Sequence, residues 1–287
     1  MTAPRRLDVR KTYKLYIAGG FSRSESGRSY PVTGSGGSVV ARPARASRKD
    51  LRESVRAARS AQPGWAGATA YNRGQILYRM AELMEGRREQ FVHELDRLGV
   101  DHPDREVTAS IDRWVWYAGW SDKVHHLVGT VNPVAGPYFD FTIPEPTGVV
   151  GIVAPDDPAL LGLVSRLAPA IVSGNTVVLL ASETKPLPAV TLCEVLATSD
   201  VPPGVVNVLT GYREELLPWL AGHMDVNAID LTGVQADAVD ELERLAAENL
   251  KRTVRDGQAD VFADAAQSPY AITALMEMKT VWHPMGA

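Results

Sequence analysis

Gly148-Val-Val-Gly-Ile-Val-Ala154 is an unbroken apolar run, too short for a globular helix, entered through a glycine and left through Pro155. A strand with one wet face alternates apolar and polar residues, so a run that never alternates reads as a strand buried on both faces. The pattern repeats downstream. Leu160 to Val172 has helical periodicity and closes at Gly174, and Thr176 to Leu180 is a second apolar strand. Leu187 to Leu196 reads as a helix, and Val205 to Leu209 as a third strand after the Pro202-Pro203-Gly204 turn. A short helix over Glu214 to Leu220, a strand over Asn227 to Leu231, a helix over Ala236 to Asn249 and a strand over Lys251 to Arg255 complete the alternation. Buried strands separated by helices predict an α/β fold, a parallel sheet with helices on both faces.

Upstream the period changes. Tyr13 to Arg42 is short and β-like, with turns at Gly19-Gly20, Ser26-Gly27 and Gly34 to Gly37. Gly34-Ser-Gly-Gly37 has no following Lys-Ser/Thr, so it reads as a hairpin turn rather than a phosphate loop. Ser47-Arg-Lys-Asp50 has capping-box spacing ahead of Leu51, Val55 and Ala58. Further helices are predicted over Asn72 to Gly86, Phe91 to Leu98 and, as one long element, Val107 to Val128 with Trp114, Tyr117 and Trp120 on one side. Trp114, Trp116 and Trp120 read as packing residues. Pro133 to Pro146 alternates aromatic or apolar with polar residues between prolines, which predicts an exposed strand or hairpin at a sheet edge. The first dozen residues read as a flexible arm.

The 287 residues are 45% hydrophobic and 22% charged, with net charge −4. A pI near 5.9 gives no electrostatic case for nucleic acid or an anionic membrane surface. No apolar run approaches the ~20 residues a bilayer span needs, and no apolar stretch follows the charged N-terminus as in a secretory signal. The single cysteine excludes an internal disulfide and suits a reducing cytoplasm. His125 and His126 are adjacent, point apart on a helix, and have no second ligand at metal spacing.

Several long stretches resemble the aldehyde dehydrogenase superfamily: Glu145-Pro-Thr-Gly-Val-Val-Gly-Ile-Val-Ala-Pro155, Leu167-Ala-Pro-Ala-Ile-Val-Ser-Gly-Asn-Thr-Val-Val178, Val201-Pro-Pro-Gly-Val-Val-Asn-Val-Leu-Thr-Gly-Tyr212, Leu231-Thr-Gly233 and Glu248-Asn-Leu-Lys-Arg252. Ala57-Ala-Arg-Ser-Ala-Gln-Pro-Gly-Trp65, Ile111-Asp-Arg113 and Tyr117-Ala-Gly-Trp-Ser-Asp-Lys123 resemble the family's N-terminal helices. The resemblance implies a Rossmann-like NAD(P) domain over 1–130 and 148–256, and an oligomerisation arm over 131–147 and 270–287. It leaves 257–269 as a short remnant where the family has its catalytic domain. Val261-Phe-Ala-Asp-Ala265 looks like the lead into that domain, yet Leu275-Met-Glu-Met-Lys-Thr-Val-Trp-His-Pro-Met285 already looks like the arm's last strand. The ten or so residues between are too few for a domain.

The family reaction needs a cysteine thiolate to attack the aldehyde before hydride passes to NAD(P)+. The one thiol, Cys193, lies on an apolar helix before the nucleophile's place and reads as a small core residue. The family's oxyanion-hole Asn is replaced by Asp157, which when ionised donates no hydrogen bond. Its general-base Glu is matched by Asp256, followed by Gly257-Gln-Ala rather than two glycines. No catalytic residue is therefore assigned, and Asp157 and Asp256 are degenerate positions. For NAD or NADP the implied positions are Ala154, Glu183, Leu231, Thr232, Gly233 and Val234. Glu183 keeps the ribose carboxylate of Leu180-Ala-Ser-Glu183 but the accompanying Lys is gone, and Lys185 is five residues too late. Thr232-Gly-Val234 keeps the backbone nitrogens of a pyrophosphate site but not its hydroxyl, and Asp237 adds negative charge.

In the family, arm strands join the catalytic-domain sheet of a neighbouring subunit. A homo-oligomer of this chain would leave the arms unpaired, with Tyr138, Phe139, Phe141, Val281 and Trp282 exposed. The leading expectation is a non-catalytic subunit that assembles with a full-length aldehyde dehydrogenase. The alternatives are an NAD(P)-binding regulatory module and a weak aldehyde oxidoreductase using Cys193.

Overall fold

The computed structural model describes residues 10–255 and 260–286, so most of the expected N-terminal arm and the Asp256 position lie outside the described residues. In chain order the elements are β1 (Leu15–Ile17), β2 (Gly20–Ser22), β3 (Val32–Thr33), β4 (Val39–Ala41), α1 (Arg48–Gly67), α2 (Ala70–Glu85), α3 (Arg88–Arg97), α4 (Pro103–Trp120) and α5 (Val124–Val128). They continue with β5 (Thr130–Asn132), β6 (Tyr138–Pro146), β7 (Val149–Val153), α6 (Leu161–Val172), β8 (Thr176–Leu180), α7 (Leu187–Thr198), β9 (Val206–Leu209) and α8 (Arg213–Ala221). The last are β10 (Ala228–Asp230), α9 (Ala236–Ala247), β11 (Arg252–Val254), α10 (Tyr270–Thr273) and β12 (Met276–Pro284).

The central sheet runs β11-β10-β7-β8-β9-β1-β2, parallel from β11 to β9 and antiparallel where β1 and β2 extend it. Alternation along β7 explains its unbroken apolar sequence. Val149 and Val153 face a core built with Leu51, Val55, Leu216, Leu220 and Leu242 of α1, α8 and α9. Val150 and Ile152 face the opposite core, with Leu163, Leu167, Leu192 and Leu196 of α6 and α7 and Trp114 and Tyr117 of α4. Each such buried aliphatic side chain stabilises the fold by about 1.5–3 kcal/mol relative to an exposed one. At Gly151 a Cβ would stand 3.0 Å from Leu220, so the glycine lets α8 close on the sheet.

The Ser47 side chain accepts from the Lys49 and Asp50 amides, and the Asp50 carboxylate accepts the Ser47 amide, completing the capping box that starts α1. The Arg73 guanidinium takes carbonyls at two helix ends, Ala68 at 2.5 Å after α1 and Val172 at 2.9 Å in α6. These are the orphan acceptors a helix C-terminus must satisfy.

Two elements differ from the sequence expectation. The long helix over Val107 to Val128 is broken at Ser121–Lys123 into α4 and α5. Lys123 Nζ caps the Gly119 carbonyl at 2.6 Å, and Gly74 of α2 packs so tightly on the buried Ser121 that a Cβ would lie 2.2 Å from its hydroxyl. Within Pro133 to Pro146, β6 is the centre rather than the edge of a three-stranded antiparallel sheet ordered β12-β6-β5. Its partner β12 comes from the far end of the chain, pairing Met276 with Pro146 through Pro284 with Tyr138.

The return from the central sheet to β12 is short and tightly held. A 3-10 turn at Asp264–Ala266 and α10 are all that lie between Asp260 and β12. The buried Arg113 donates to Val261 O at 2.8 Å, Ala266 O at 3.4 Å and Ser165 Oγ at 2.8 Å, and Arg105 stacks over the Phe262 ring. Asn175 donates to Leu275 O at 2.8 Å and accepts the Gly148 amide at 2.7 Å, joining the start of β7 to the start of β12. Among the described residues no helix is long and apolar enough to cross a membrane. Replacing Arg113 with Met leaves two part-buried carbonyls and the buried Ser165 hydroxyl without their donor. Arg113→Met is expected to cost about 2–4 kcal/mol in denaturant melts and to speed proteolytic cleavage within 260–267. Unchanged stability and cleavage would show that Arg113 does not hold the junction.

Candidate functional site

The order of the parallel strands reverses between β7 and β10, since β8 and β9 lie on one side of β7 and β10 and β11 on the other. Open α/β sheets take ligands at the carboxyl ends of the strands beside such a reversal. Here those ends are Ala154 after β7 and Leu231-Thr232-Gly233-Val234 after β10. At Gly233 only a glycine fits, because a Cβ would stand 2.4 Å from Val153 O and 2.5 Å from the Ala154 carbonyl. The position therefore has a structural cause independent of any ligand.

The nitrogens of this turn already have partners. Thr232 N donates to Asp230 Oδ1 at 2.9 Å, Gly233 N to Val153 O at 3.1 Å and Val234 N to Leu231 O at 2.9 Å. Glu183 is also engaged, its Oε2 accepting the Arg213 amide at 2.8 Å at the start of α8. The Arg213 side chain then crosses the crevice. Its Nη1 lies 2.9 Å from Gly233 O and 2.9 Å from Asp156 Oδ2, and its Nη2 lies 2.5 Å from Ala154 O and 3.1 Å from Asp156 Oδ1. Asp156 is held in turn by Ser182 Oγ at 2.6 Å and the Glu183 amide at 3.1 Å. A cation in the first turn of a helix opposes the helix dipole, and Asp156 and Glu183 offset that cost.

Sequence reasoning placed Ala154, Glu183, Leu231, Thr232, Gly233 and Val234 here, and the structure brings them together around the reversal. It missed Arg213 and Asp156, which fill the space between them. The available signal was the charge pattern, a cation at the N-terminus of α8. These residues do not fit an NAD(P) molecule as they stand, because the Arg213 guanidinium and the Asp156 carboxylate occupy the crevice. A cleft of about 210 Å³ borders Glu183, lined by Tyr30, Val32 and Tyr212 among others, below the roughly 300–1,000 Å³ of typical ligand sites.

Of the two degenerate catalytic positions, Asp157 takes no part in this network, and Asp256 lies outside the described residues. The Asp157 side chain is 77% exposed and pairs with Lys185 Nζ at 2.9 Å, a surface contact worth at most about 1 kcal/mol. Cys193 is fully buried inside α7, where its thiol donates to Ala189 O at 3.1 Å and burial pushes its pKa well above the usual thiol range. The thiolate a nucleophile requires is disfavoured there. His125 and His126 are exposed on α5, and no group of three potential metal ligands occurs among the described residues. Trp114 is fully buried, and Trp116 packs against Tyr117 and Trp120.

The residues expected in the arm all fall on the β12-β6-β5 sheet. Cross-strand register puts Val131, Phe139, Phe141, Ile143 and Val281 on one face, with His283, Lys279 and Glu145 around them. Tyr138 and Trp282 share the opposite face in an edge-on pair, centroids 5.7 Å apart. Beside them runs a polar ladder in which Asn132 donates to Asp140 at 2.5 Å and to Thr142 at 2.9 Å. Most of the large side chains are exposed, Val131 by 61% and Trp282 by 59%, whereas Phe141, expected to be exposed, is half-buried between its strand neighbours.

A doubly wound sheet with a cofactor-type crevice, joined to a separate antiparallel sheet, defines a dinucleotide-fold protein. The aldehyde dehydrogenase family profile matches residues 21–259, and the chain belongs to that family. Human retinal dehydrogenase 2 is 34% identical over 274 residues, a match covering 90% of this chain and 52% of that protein. The crystal structure of HpcC from Thermus thermophilus superposes with a TM-score of 0.79 at 30% identity, over 85% of this chain and 48% of that one. An NAD+ complex of aldehyde dehydrogenase from Bacillus cereus does so with a TM-score of 0.77 at 25% identity, over 85% and 50%. The chain spans about half the length of the relatives it matches.

Glu106 of α4 reaches the start of α6, its Oε1 accepting the Leu160 amide at 2.6 Å and the Leu161 amide at 3.1 Å. Burial raises its pKa above the ordinary carboxylate value, these amides oppose the rise, and nearby Asp157 adds to it. A raised folded pKa means the contribution is fully present below the unfolded pKa near 4.3 and is lost as pH climbs through the folded value. Glu106→Gln keeps an acceptor for both amides and removes the titration. Its melting temperature relative to the wild type is expected to rise between pH 4 and pH 8. A pH-independent difference would show that the buried carboxyl is not the cause.

Proposed function

We propose that this chain is a non-catalytic subunit that assembles with a full-length NAD(P)-dependent aldehyde dehydrogenase through its β12-β6-β5 sheet. The observation that carries the reading is that this sheet is fully formed within the chain while most of the apolar side chains on one of its faces are exposed. Val131, Phe139, Ile143 and Val281 form a contiguous strip, and the outer edge of the nine-residue β12 has no partner among the described residues. Such a surface on a lone protein is an aggregation hazard, and burial against another chain removes it. The buried Cys193 and the carboxylate at Asp157 support a role without catalysis. The short link from Asp260 to Leu275 supports it too, since it offers no platform for an aldehyde beside the crevice.

Co-expression with full-length homologues, followed by native mass measurement, tests the reading. A stable hetero-oligomer is expected. Val281→Lys, which puts a charge in the middle of the strip, is expected to weaken assembly at least roughly tenfold without changing the melting temperature of the isolated chain. A well-behaved monomer, or homo-oligomers alone, would overturn it.

A further inference from the structure

We infer that Arg213 is a built-in occupant of the crevice between β7 and β10, where it ties the two strand ends together and closes the crevice to dinucleotides. The inference rests on the crevice alone and is independent of whether the chain assembles with a partner. Ala154 O and Gly233 O are carbonyls just past the ends of two adjacent strands, and one guanidinium bonds both while holding Asp156 through two oxygens. The Arg213 backbone amide is fixed by Glu183, so side chain and main chain are anchored from opposite sides. The side chain is only 13% exposed.

Withdrawing this group would leave a wall of two carbonyl oxygens and the Asp156 carboxylate, all negatively polarised, with Asp237 in the first turn of α9 nearby in sequence. A pyrophosphate entering that space would meet like charge and unpaired buried acceptors. The chain has thus replaced the cohesion a bound ligand gives a Rossmann crevice with an internal ion pair. The cation belongs to the protein, and the anion that a dinucleotide would supply is Asp156.

Thermal melts of the full chain with and without about 5 mM NAD+ or ADP test this. The wild type is expected to show no ligand-dependent shift. Arg213→Ala is expected to melt roughly 4–8 °C lower, as the two strand ends lose their common donor, and still to ignore NAD+ because Asp156 remains. The double variant Asp156→Asn with Arg213→Gly removes both the plug and the carboxylate, and is expected to gain an NAD+-dependent rise of about 3 °C. A wild-type shift with NAD+, an Arg213→Ala melt equal to wild type, or no ligand response in the folded double variant would each overturn the inference. Should the double variant not fold, Arg213→Lys keeps the charge but cannot bridge both carbonyls. It is expected to lose a few degrees, and a wild-type melt would count against the proposal.

Discussion

The bridging of Ala154 O, Gly233 O and Asp156 by the Arg213 guanidinium constrains everything else the molecule can do. The reversal of strand order beside β7 makes a crevice inevitable in this fold, and an open crevice lined by carbonyls is electrostatically unfinished. A Rossmann protein ordinarily completes it with a ligand. Here a side chain from the start of α8 does so, and it draws in Asp156, Ser182 and Glu183 as supports. The sheet, the helices on both of its faces and the tight glycine turn at Gly233 are those of the aldehyde dehydrogenase family. The chemistry of the crevice is that of an internal ion pair bonded to the strand-end carbonyls.

The same economy shows at the junction. Asn175 uses both ends of its amide to join β7 to β12, and Arg113 fastens the segment between Val261 and Ala266 to α4. Each is a buried polar side chain that bonds backbone groups of the segments it joins, the kind of contact that stabilises rather than strains a core. The short link therefore has specific anchors. It delivers β12 to β6 in register over nine residue pairs, leaving a finished sheet on which Val131, Phe139, Ile143 and Val281 stay exposed. On the proposed reading, a surface for another subunit is what the molecule retains.

How far the sequence foretold this depends on the range of the contacts involved. β7 and β8 were readable because burial on both faces is written locally as an unbroken apolar run, and the start of α1 because a capping box spans four residues. The break between α4 and α5 was not, since Ser121–Lys123 suits a helix and the interruption comes from the close approach of Gly74 on α2. The central place of β6 was hidden because β12 lies far along the chain. At the crevice, the positions facing the reversal followed from the family resemblance. Arg213 did not, because its meaning depends on three strand ends and loops meeting in space. Asp256, one of the two degenerate catalytic positions, lies outside the described residues.

Two surfaces compete to explain this chain, the crevice and the three-stranded sheet, and hydrogen–deuterium exchange separates them in one experiment. With a full-length aldehyde dehydrogenase that co-purifies with the chain, slower exchange is expected across 130–146 and 276–284. With NAD+ alone, no change is expected at 231–238. Protection of 231–238 by NAD+, with the sheet unaffected by any partner, would contradict a protein that has closed its crevice and kept its surface.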